Sequence, residues 1–150
     1  MHKLIVACVA GMLASGWCAA SEQSDVLAVM KQWSDAFNKG DAKSALATCA
    51  DQTSILDDVP PHEWHGTGAC SRWMADDAAF MKKNAITHAT VAFGTARHID
   101  IAAGLAYVVA PAEFTYLRQG NQVKETATVT MILQKSESGW HITGWSWADG

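Results

Sequence analysis

Aspartate, histidine and tryptophan side chains gather in the stretch 57–66, and they are the first candidates for chemistry. Asp57 follows the short segment 53–56, which has strand character, so its carboxylate stands at a strand end. A carboxylate that faces an apolar cavity resists ionisation and can exchange a proton with a carbon next to a carbonyl group. His62 is a candidate acid/base partner because histidine titrates near neutral pH. The alternative is that Asp57 caps the turn before Pro60.

The same stretch raises the question of a metal site, because His62, His65, Asp57, Asp58 and Glu63 lie close together in sequence. Imidazole and carboxylate groups are common zinc ligands, but a His-x-x-His pair in a proline-containing loop is more typical of exposed surface. We therefore assign no metal and no cofactor, and either histidine can equally be a surface residue. Phosphate loops, dinucleotide fingerprints and nucleophile motifs are absent from the sequence, which argues against phosphoryl transfer, hydride transfer and serine hydrolysis.

Tryptophan is unusually frequent, with seven residues in the sequence. Large aromatic side chains in a small domain form core first, and a subset that lines a pocket would favour a flat, apolar ligand. Trp145 and Trp147 share one face of a strand because they are two residues apart. Trp64 lies in the proline-rich loop, where an exposed aromatic side chain indicates binding. The candidate ligand-binding residues are Trp33, Phe37, Trp64, Trp73, Met131 and Trp145.

The N-terminus has the order of a secretory signal: a basic start, an apolar run from Leu4 to Ala14, and small residues ending at Ala20. The run is too short to cross a bilayer, which takes about 20 residues. We expect residues 1–20 to be a signal peptide and residues 21–150 to be one soluble domain that is periplasmic or secreted. We expect no membrane partner after cleavage.

Charge and cysteine content narrow the function classes further. The formal net charge of −4 and the lack of a basic patch argue against nucleic acid as a partner. Two cysteines, Cys49 and Cys70, remain after cleavage, and an oxidising compartment favours a disulfide between them. The alternative is a pair of free, buried thiols.

Hydrophobic periodicity predicts three helices followed by a meander of strands, which is an α+β plan with helices on one face of a curved antiparallel sheet. The first helix is expected to be capped by Ser24 and to end at Gly40, and Asp41 is expected to cap a second, short helix. The third helix spans about Ala69–Lys83, with Trp73, Ala78 or Asp77, Phe80 and Met81 near one face. Its polar side holds Asp76 and Asp77. The strands predicted after Asn84 are Ile86–Phe93, Arg97–Ile101, Leu105–Leu117, Val123–Gln134 and Trp140–Trp147.

Threonines at alternate positions mark the solvated face of the predicted strand 123–134. Val129 and Met131 then point inward, as an apolar cavity requires. For the preceding strand, alternation does not decide whether Glu113 or Tyr116 points inward.

The segments Trp33–Asp41, Thr53–Asp58 and Gly139–Trp147, with Gly66 before the third helix, resemble the nuclear transport factor two-like superfamily. Within it, they are similar to the SnoaL-like and ketosteroid isomerase-like small domains, and the resemblance covers residues 24–148. It implies a cone, in which a strongly bent antiparallel sheet wraps around the three N-terminal helices as a cystatin-like α+β barrel. An apolar pocket would open between the sheet and the helices.

The resemblance also bears on catalysis. The spacing from Thr53 to Gly66 matches the segment that carries the general-base aspartate of ketosteroid isomerase-like enzymes, and the matching residue is Asp57. Where those enzymes have a tyrosine on the first helix, this chain has Trp33, and their second acid falls near Met131. An oxyanion hole needs donors aimed at the developing charge, and Met131 offers none. Steroid isomerisation is therefore not expected, whereas a weaker proton transfer stays open.

Two function hypotheses follow. The first is an exported, cofactor-free SnoaL-like domain that binds a small apolar or aromatic molecule in the cone. In that case, acid/base chemistry of an isomerase, cyclase or hydrolase type at Asp57 is an open option. The second is a non-catalytic binding or interaction module of the same fold, which holds a partner by its sheet face or by the loop of Trp64. A homodimer is expected, as is common among similar domains.

Overall fold

The structure is a computed structural model that describes the backbone of residues 14–150 and the side chains from residue 21 onward. Residues 1–13 of the predicted signal peptide lie outside the described residues. The helices are α1 (Ala14–Asn38), α2 (Ala42–Leu46) and α3 (Ala69–Lys83). The strands are β1 (Cys49–Leu56), β2 (Glu63–Thr67), β3 (Ile86–Phe93), β4 (His98–Ala102), β5 (Leu105–Arg118), β6 (Asn121–Ser136) and β7 (Gly139–Asp149). None of the helices within residues 14–150 combines the length and apolar character needed to cross a membrane.

Helix α1 begins earlier than the sequence pattern predicts. It starts at Ala14, so Ser24 lies inside the helix and the prediction of Ser24 as its cap is wrong. The residues before Ser24 are rich in alanine and contain no proline, which lets the helix continue through them. The C-terminal end agrees with the prediction, because Gly40 has a φ of 68°, a left-handed conformation that glycine adopts at low cost. Asp41 caps α2 by accepting a hydrogen bond of 3.0 Å from the backbone N–H of Ser44.

The strands form one curved sheet in the order β2-β1-β7-β6-β5-β3, and β4 pairs with β5. Helix α1 packs against β3 and β7, and helix α3 packs against β1, β2 and β3. The predicted α+β fold class is confirmed. One strand pair differs from the expected antiparallel sheet, because β1 and β7 are parallel. The chain leaves β1 through β2 and α3, and the meander then brings β7 back beside β1 in the same direction.

Strand β2 is an element that the sequence analysis did not predict. It follows the Pro60–Pro61 pair, which is joined by a cis peptide bond, and pairs with β1 at the edge of the sheet. Proline is disfavoured inside a strand, but both prolines precede β2 and leave its backbone N–H groups free to pair. The loop from Asp57 to His62 is thereby held between two paired strands.

Burial follows the predicted alternation on the central strands. Val129, Met131 and Leu133 of β6 are all buried, whereas Thr126, Thr128 and Thr130 are not. On β5, Tyr116 is buried, which settles the inward face of that strand. The concave face of the sheet and the inner sides of α1 and α3 therefore enclose the apolar core.

The predicted disulfide is confirmed. Cys49 at the start of β1 is bonded to Cys70 in the first turn of α3, and their Cα atoms are 6.6 Å apart. The bridge fixes the N-terminal end of α3 against the sheet, so the face of α3 that looks toward α1 has a defined orientation.

Candidate functional site

A cavity of about 210 Å³ opens between α1, α3 and the concave face of the sheet. An apolar cavity of about 150 Å³ is sufficient to hold benzene, so this one has room for a single substituted ring. Most of its lining is apolar, and much of that is aromatic. The aromatic lining residues, apart from Tyr116, are Trp33, Phe37, Trp73, Phe80, Phe93, Phe114, Trp145 and Trp147. The polar lining residues are Asp57, Asp58, Asp77, Tyr116, Arg118 and Glu125.

Three tryptophans from three different elements form a continuous aromatic wall. Trp33 of α1 lies 5.7 Å from Trp145 of β7 and 5.8 Å from Trp73 of α3, measured between ring centroids. Trp73 and Trp145 meet edge to face at 5.1 Å, an arrangement favoured by the ring quadrupoles. Phe37, one helical turn after Trp33, stacks on it at 5.4 Å. We call Trp33, Trp73 and Trp145 the tryptophan wall.

Strands β6 and β7 present two registered pairs to the cavity. Met131 pairs with Trp145, and Val129 pairs with Trp147. Directly opposite residues in an antiparallel pair point to the same face, so all four side chains reach the cavity together. Met131 is buried and offers no hydrogen-bond donor, as expected from the sequence.

Asp57 lies in the loop directly after β1 and lines the cavity. Its Oδ1 accepts a hydrogen bond of 3.1 Å from the backbone N–H of Val59, and its Oδ2 lies 3.5 Å from the indole Nε1 of Trp145. The carboxylate thus caps the turn, as the alternative interpretation predicts, and also lines the cavity. One oxygen is engaged by the turn, and the other lies at the tryptophan wall.

The surroundings of Asp57 favour its protonated form. Burial raises the pKa of Asp57 to about 7, with further upward contributions from a hydrogen bond to the Asp58 side chain and from the charge of Asp58. The N–H groups of Val59 and Trp145 act in the opposite direction, because they stabilise the carboxylate. With a pKa near 7, Asp57 can both take up and release a proton at neutral pH.

The position of Asp57 depends on a close approach of β1 and β7 at Gly144. A Cβ atom added at Gly144 would lie 2.7 Å from the carbonyl oxygen of Ser54, closer than real Cβ atoms come to backbone. Any larger residue would therefore push β1 away from β7. Glycine at this position lets the end of β1, and with it Asp57, stand directly beside Trp145.

Asp77 is a site residue that the sequence analysis did not propose for the site. The sequence pattern left the face of α3 open for Asp77, and the structure places the side chain on the inner face. Its exposed fraction is 6%, and it lines the cavity. Burial raises the pKa of Asp77 to about 6, and the negative charge of Asp58 adds to the effect. The signal that could have found it is spacing, because Trp73 four residues before and Phe80 three residues after share its helix face.

Tyr116, Glu125 and Arg118 form a second polar group in the lining. The hydroxyl of Tyr116 donates a hydrogen bond of 2.6 Å to Oε1 of Glu125. The guanidinium carbon of Arg118 lies 5.3 Å from the centroid of the Tyr116 ring. Burial raises the pKa of Tyr116, and the bond to Glu125 raises it further, so the hydroxyl keeps its proton as a donor.

Comparison with known proteins identifies the family. The family profile described as a SnoaL-like domain matches residues 26–146. The chain belongs to the SnoaL-like family. The resemblance stated from the sequence is thereby confirmed. Among curated proteins, none matches this SnoaL-like chain.

Solved structures agree with the fold of this SnoaL-like protein. A protein of unknown function from Mycobacterium tuberculosis has a TM-score of 0.76 at 13% identity, covering 93% of this chain and 78% of that one. A nuclear transport factor 2-like protein with a cystatin-like fold from Novosphingobium aromaticivorans has a TM-score of 0.72 at 12% identity, covering 93% and 92%. A superfamily member from Salmonella enterica has a TM-score of 0.73 at 14% identity, covering 87% and 92%. At these identities the similarity establishes the fold.

The structure brings most of the predicted ligand-binding residues of the SnoaL-like domain together, and Trp64 is the exception. Trp33, Phe37, Trp73, Met131 and Trp145 all line the cavity with Asp57. Trp64 was predicted to be an exposed aromatic residue of the loop, and this is wrong. It belongs to β2 with an exposed fraction of 4%, and its indole N–H donates a hydrogen bond of 2.8 Å to Oδ2 of Asp76. Trp64 is therefore a core residue that joins β2 to α3.

His62 does not lie where an acid/base partner of the Asp57 carboxylate should be. It is exposed, and its Nδ1 lies 3.1 Å from the backbone carbonyl oxygen of Asp57 and not from the carboxylate. His65 is also exposed, with Nε2 at 3.4 Å from Oε2 of Glu63. In the described part of the chain, no three His, Cys, Asp or Glu side chains are arranged to hold a metal ion. The loop therefore contributes Asp57 and Asp58 to the site, whereas His62 of the loop and His65 of β2 do not line the cavity.

Proposed function

We propose that this SnoaL-like protein binds a small apolar or aromatic molecule in the cavity and moves a proton on it with Asp57. One observation carries the proposal: a carboxyl group with a pKa raised to about 7 lines an aromatic cavity of about 210 Å³. A buried, weakly ionised carboxyl group at the wall of a ligand-sized pocket is a frequent feature of acid/base sites.

The geometry supports a simple division of roles. The tryptophan wall offers an apolar surface of mutually inclined rings, against which a ring-shaped substrate would pack. This packing would fix the distance of the substrate from the Asp57 carboxylate. Oδ1 of Asp57 accepts a hydrogen bond from the backbone N–H of Val59. Oδ2, which lies at the tryptophan wall, is therefore the atom that would exchange the proton. Ionised Asp57 would take a proton from a carbon beside a carbonyl group and, once protonated, return it to the substrate.

Deuterium incorporation tests this role. Mature protein is incubated in D2O with a panel of small cyclic and aromatic ketones, and exchange at the carbon beside the carbonyl group is followed by NMR. Asp57→Asn is expected to lower the exchange rate by about 100-fold or more, the usual size of a general-base contribution. Asp51→Asn removes an exposed carboxylate of β1, the strand that precedes Asp57. It is the matched control and should retain the wild-type rate. Exchange that survives Asp57→Asn unchanged would contradict the proposal.

A non-catalytic binder of the same fold is the second candidate. Two observations favour it: Oδ1 of Asp57 is occupied by the turn, and the Met131 position offers no donor for a developing oxyanion. The same panel separates the two candidates. Ketones that quench the tryptophan fluorescence on binding, but show no exchange above the rate without protein, would establish the binder.

Export and self-association complete the proposal. A signal peptide cleaved after Ala20 would shorten α1 and release residues 21–150 into the periplasm or the medium. Homodimerisation would use the outer face of the sheet, where Tyr107 and Ile132 form a direct cross-strand pair with exposed fractions of 43% and 44%. Leu105, at 50%, extends this apolar patch. The intact mass of the mature protein tests the cleavage. Light scattering of wild type and of Ile132→Asp, expected as a dimer and a monomer, tests the association.

A further inference from the structure

Asp77 is the least compensated charged group of the site. Its exposed fraction is 6%, and it lines the cavity from the middle of α3. Within the described part of the chain it has no hydrogen-bond or ion-pair partner. Only burial and the charge of Asp58 act on its proton affinity. A buried carboxylate without a partner is costly for the fold, and such a group is retained where something else binds to it.

The charges of the cavity are not balanced by the protein. Arg118 and Glu125 are of opposite sign, and both contact Tyr116. The other ionisable lining groups are the three aspartates Asp57, Asp58 and Asp77, and Arg118 is the one cationic side chain among the described lining residues. The region of Asp57, Asp58 and Asp77 therefore has an excess of negative charge next to an apolar surface.

A metal ion does not fit this excess. No three acidic, histidine or cysteine side chains of the described residues are arranged to hold one. The neighbouring surface is aromatic: Trp73 lies one helical turn before Asp77 and belongs to the tryptophan wall. Aromatic faces attract organic cations through their quadrupoles and also accommodate apolar bodies. The chemistry of the region therefore suits a cation that carries its own hydrophobic group.

We propose that the ligand of this cavity carries a protonated amine, which Asp77 binds while the apolar body packs against the tryptophan wall. This inference rests on the proposed function, namely that the cavity binds a small apolar or aromatic molecule. It adds the substrate class: an arylalkylamine or a similar compound in which one ring and one ammonium group are a few bonds apart.

Asp77 also borders a second space next to the cavity. A second, outer groove of about 750 Å³ lies between the ends of α1 and α3, the helix α2 and the start of β3. The two spaces share Phe37, Asp77, Met81 and Ile86 as lining residues. Lys39, Lys82 and His88 also line the groove, but none of them contributes to the proton affinity of Asp77. An amine that enters through the groove would meet Asp77 at the boundary.

Three probes of one size and shape test the proposal. They are 2-phenylethylamine as the cation, 2-phenylethanol as the neutral analogue and phenylacetate as the anion. Binding to mature protein is measured by isothermal titration calorimetry at pH 7.5, where the Asp77 carboxyl is ionised. A hydrogen bond to a charged partner predicts that the amine binds at least about tenfold more tightly than the alcohol, and that phenylacetate binds most weakly.

Two variants show whether Asp77 is responsible. Asp77→Asn should bring the affinities for the amine and the alcohol to within about twofold of each other and leave the affinity for the alcohol unchanged. Asp100→Asn, which removes an exposed carboxylate of β4 outside the cavity, should keep the wild-type ratio. A thermal melt by circular dichroism confirms that each variant is folded, and the wild-type comparison of the three probes stands without them.

The outcomes are distinguishable. Equal binding of the amine and the alcohol by wild type, or a preference for the alcohol, would overturn the amine proposal and leave the proposed function in place. A preference for the amine that survives Asp77→Asn would also overturn it, because another group would then hold the ammonium. If none of the three probes binds, the amine proposal and the proposed function fail together.

Discussion

Replacing Asp77 by asparagine removes the buried carboxyl group of α3 while keeping the size of the side chain. The folded-state pKa of about 6 lies above the ordinary value of 3.8, so the folded protein binds this proton more tightly than the unfolded chain does. Below pH 3.8, both states are protonated and Asp77 does not oppose folding. As the pH rises from about 4 to about 6, the stability falls, and above pH 6 the full penalty is present.

The size of the effect follows from the shift. One pKa unit corresponds to about 1.4 kcal/mol, so a shift from 3.8 to about 6 corresponds to about 3 kcal/mol. The asparagine amide carries its own burial cost, but that cost does not depend on pH. About 0.5 kcal/mol of this penalty is already present at pH 4, so the stability of Asp77→Asn relative to wild type should increase by about 2.5 kcal/mol between pH 4 and pH 8, whatever the offset at pH 4.

Urea unfolding of the oxidised mature protein, followed by tryptophan fluorescence at five pH values from 4 to 8, gives this difference. Asp100→Asn is the matched control, and its stability relative to wild type should change little with pH because its carboxylate is exposed. A difference for Asp77→Asn that stays constant within about 0.5 kcal/mol over this range would refute the reasoning, since Asp77 would then ionise as in solution.

Three further predictions concern the elements that hold the site. Gly144→Ala forces β1 away from β7 and should lower the free energy of unfolding by about 1–3 kcal/mol in urea titrations. An unchanged free energy of unfolding would show that the two strands can separate at no cost. Replacing Cys49 and Cys70 together by serine should lower it by about 2–4 kcal/mol, and reduction of wild type should give the same loss. Trp64→Phe keeps an aromatic side chain, although a smaller one, and removes the N–H that binds Asp76. It should cost about 1.5–3 kcal/mol in a thermal or urea melt, and an unchanged stability would contradict the assigned bond.

Local signals explain how much of the fold was predictable. The third helix and the strand after it have the predicted bounds, Ala69–Lys83 and Ile86–Phe93, because periodicity, turn residues and terminal charges all lie within the segment itself. The parallel pairing of β1 with β7 joins segments about 90 residues apart, and no local pattern encodes it. Strand β2 was missed because the prolines before it suggested a loop.

The candidate site was predictable where a residue's neighbours in sequence determine its environment. Asp57 was identified from its place at the end of a strand together with the spacing of the segment that resembles ketosteroid isomerase-like enzymes, and Met131 from the alternation of β6. Asp77 was not proposed as a site residue, because its spacing favoured the apolar face of the helix and its charge favoured the polar face. Trp64 was placed at the surface because its neighbours in sequence suggested a loop. Its indole N–H instead donates a hydrogen bond to Asp76 on α3, a contact that only the folded chain creates.

The central claim is that Asp57 is a weakly ionised carboxyl group at the wall of a ligand-binding cavity. An NMR titration of mature protein with ¹³C-carboxyl-labelled aspartate measures this directly, with the Asp57 signal assigned by its loss in Asp57→Asn. We expect a midpoint near pH 7 for Asp57 in the free protein. Saturating 2-phenylethanol should move the midpoint higher, because the ligand displaces water from the carboxyl group. A midpoint near pH 4 that does not respond to the ligand would contradict the account.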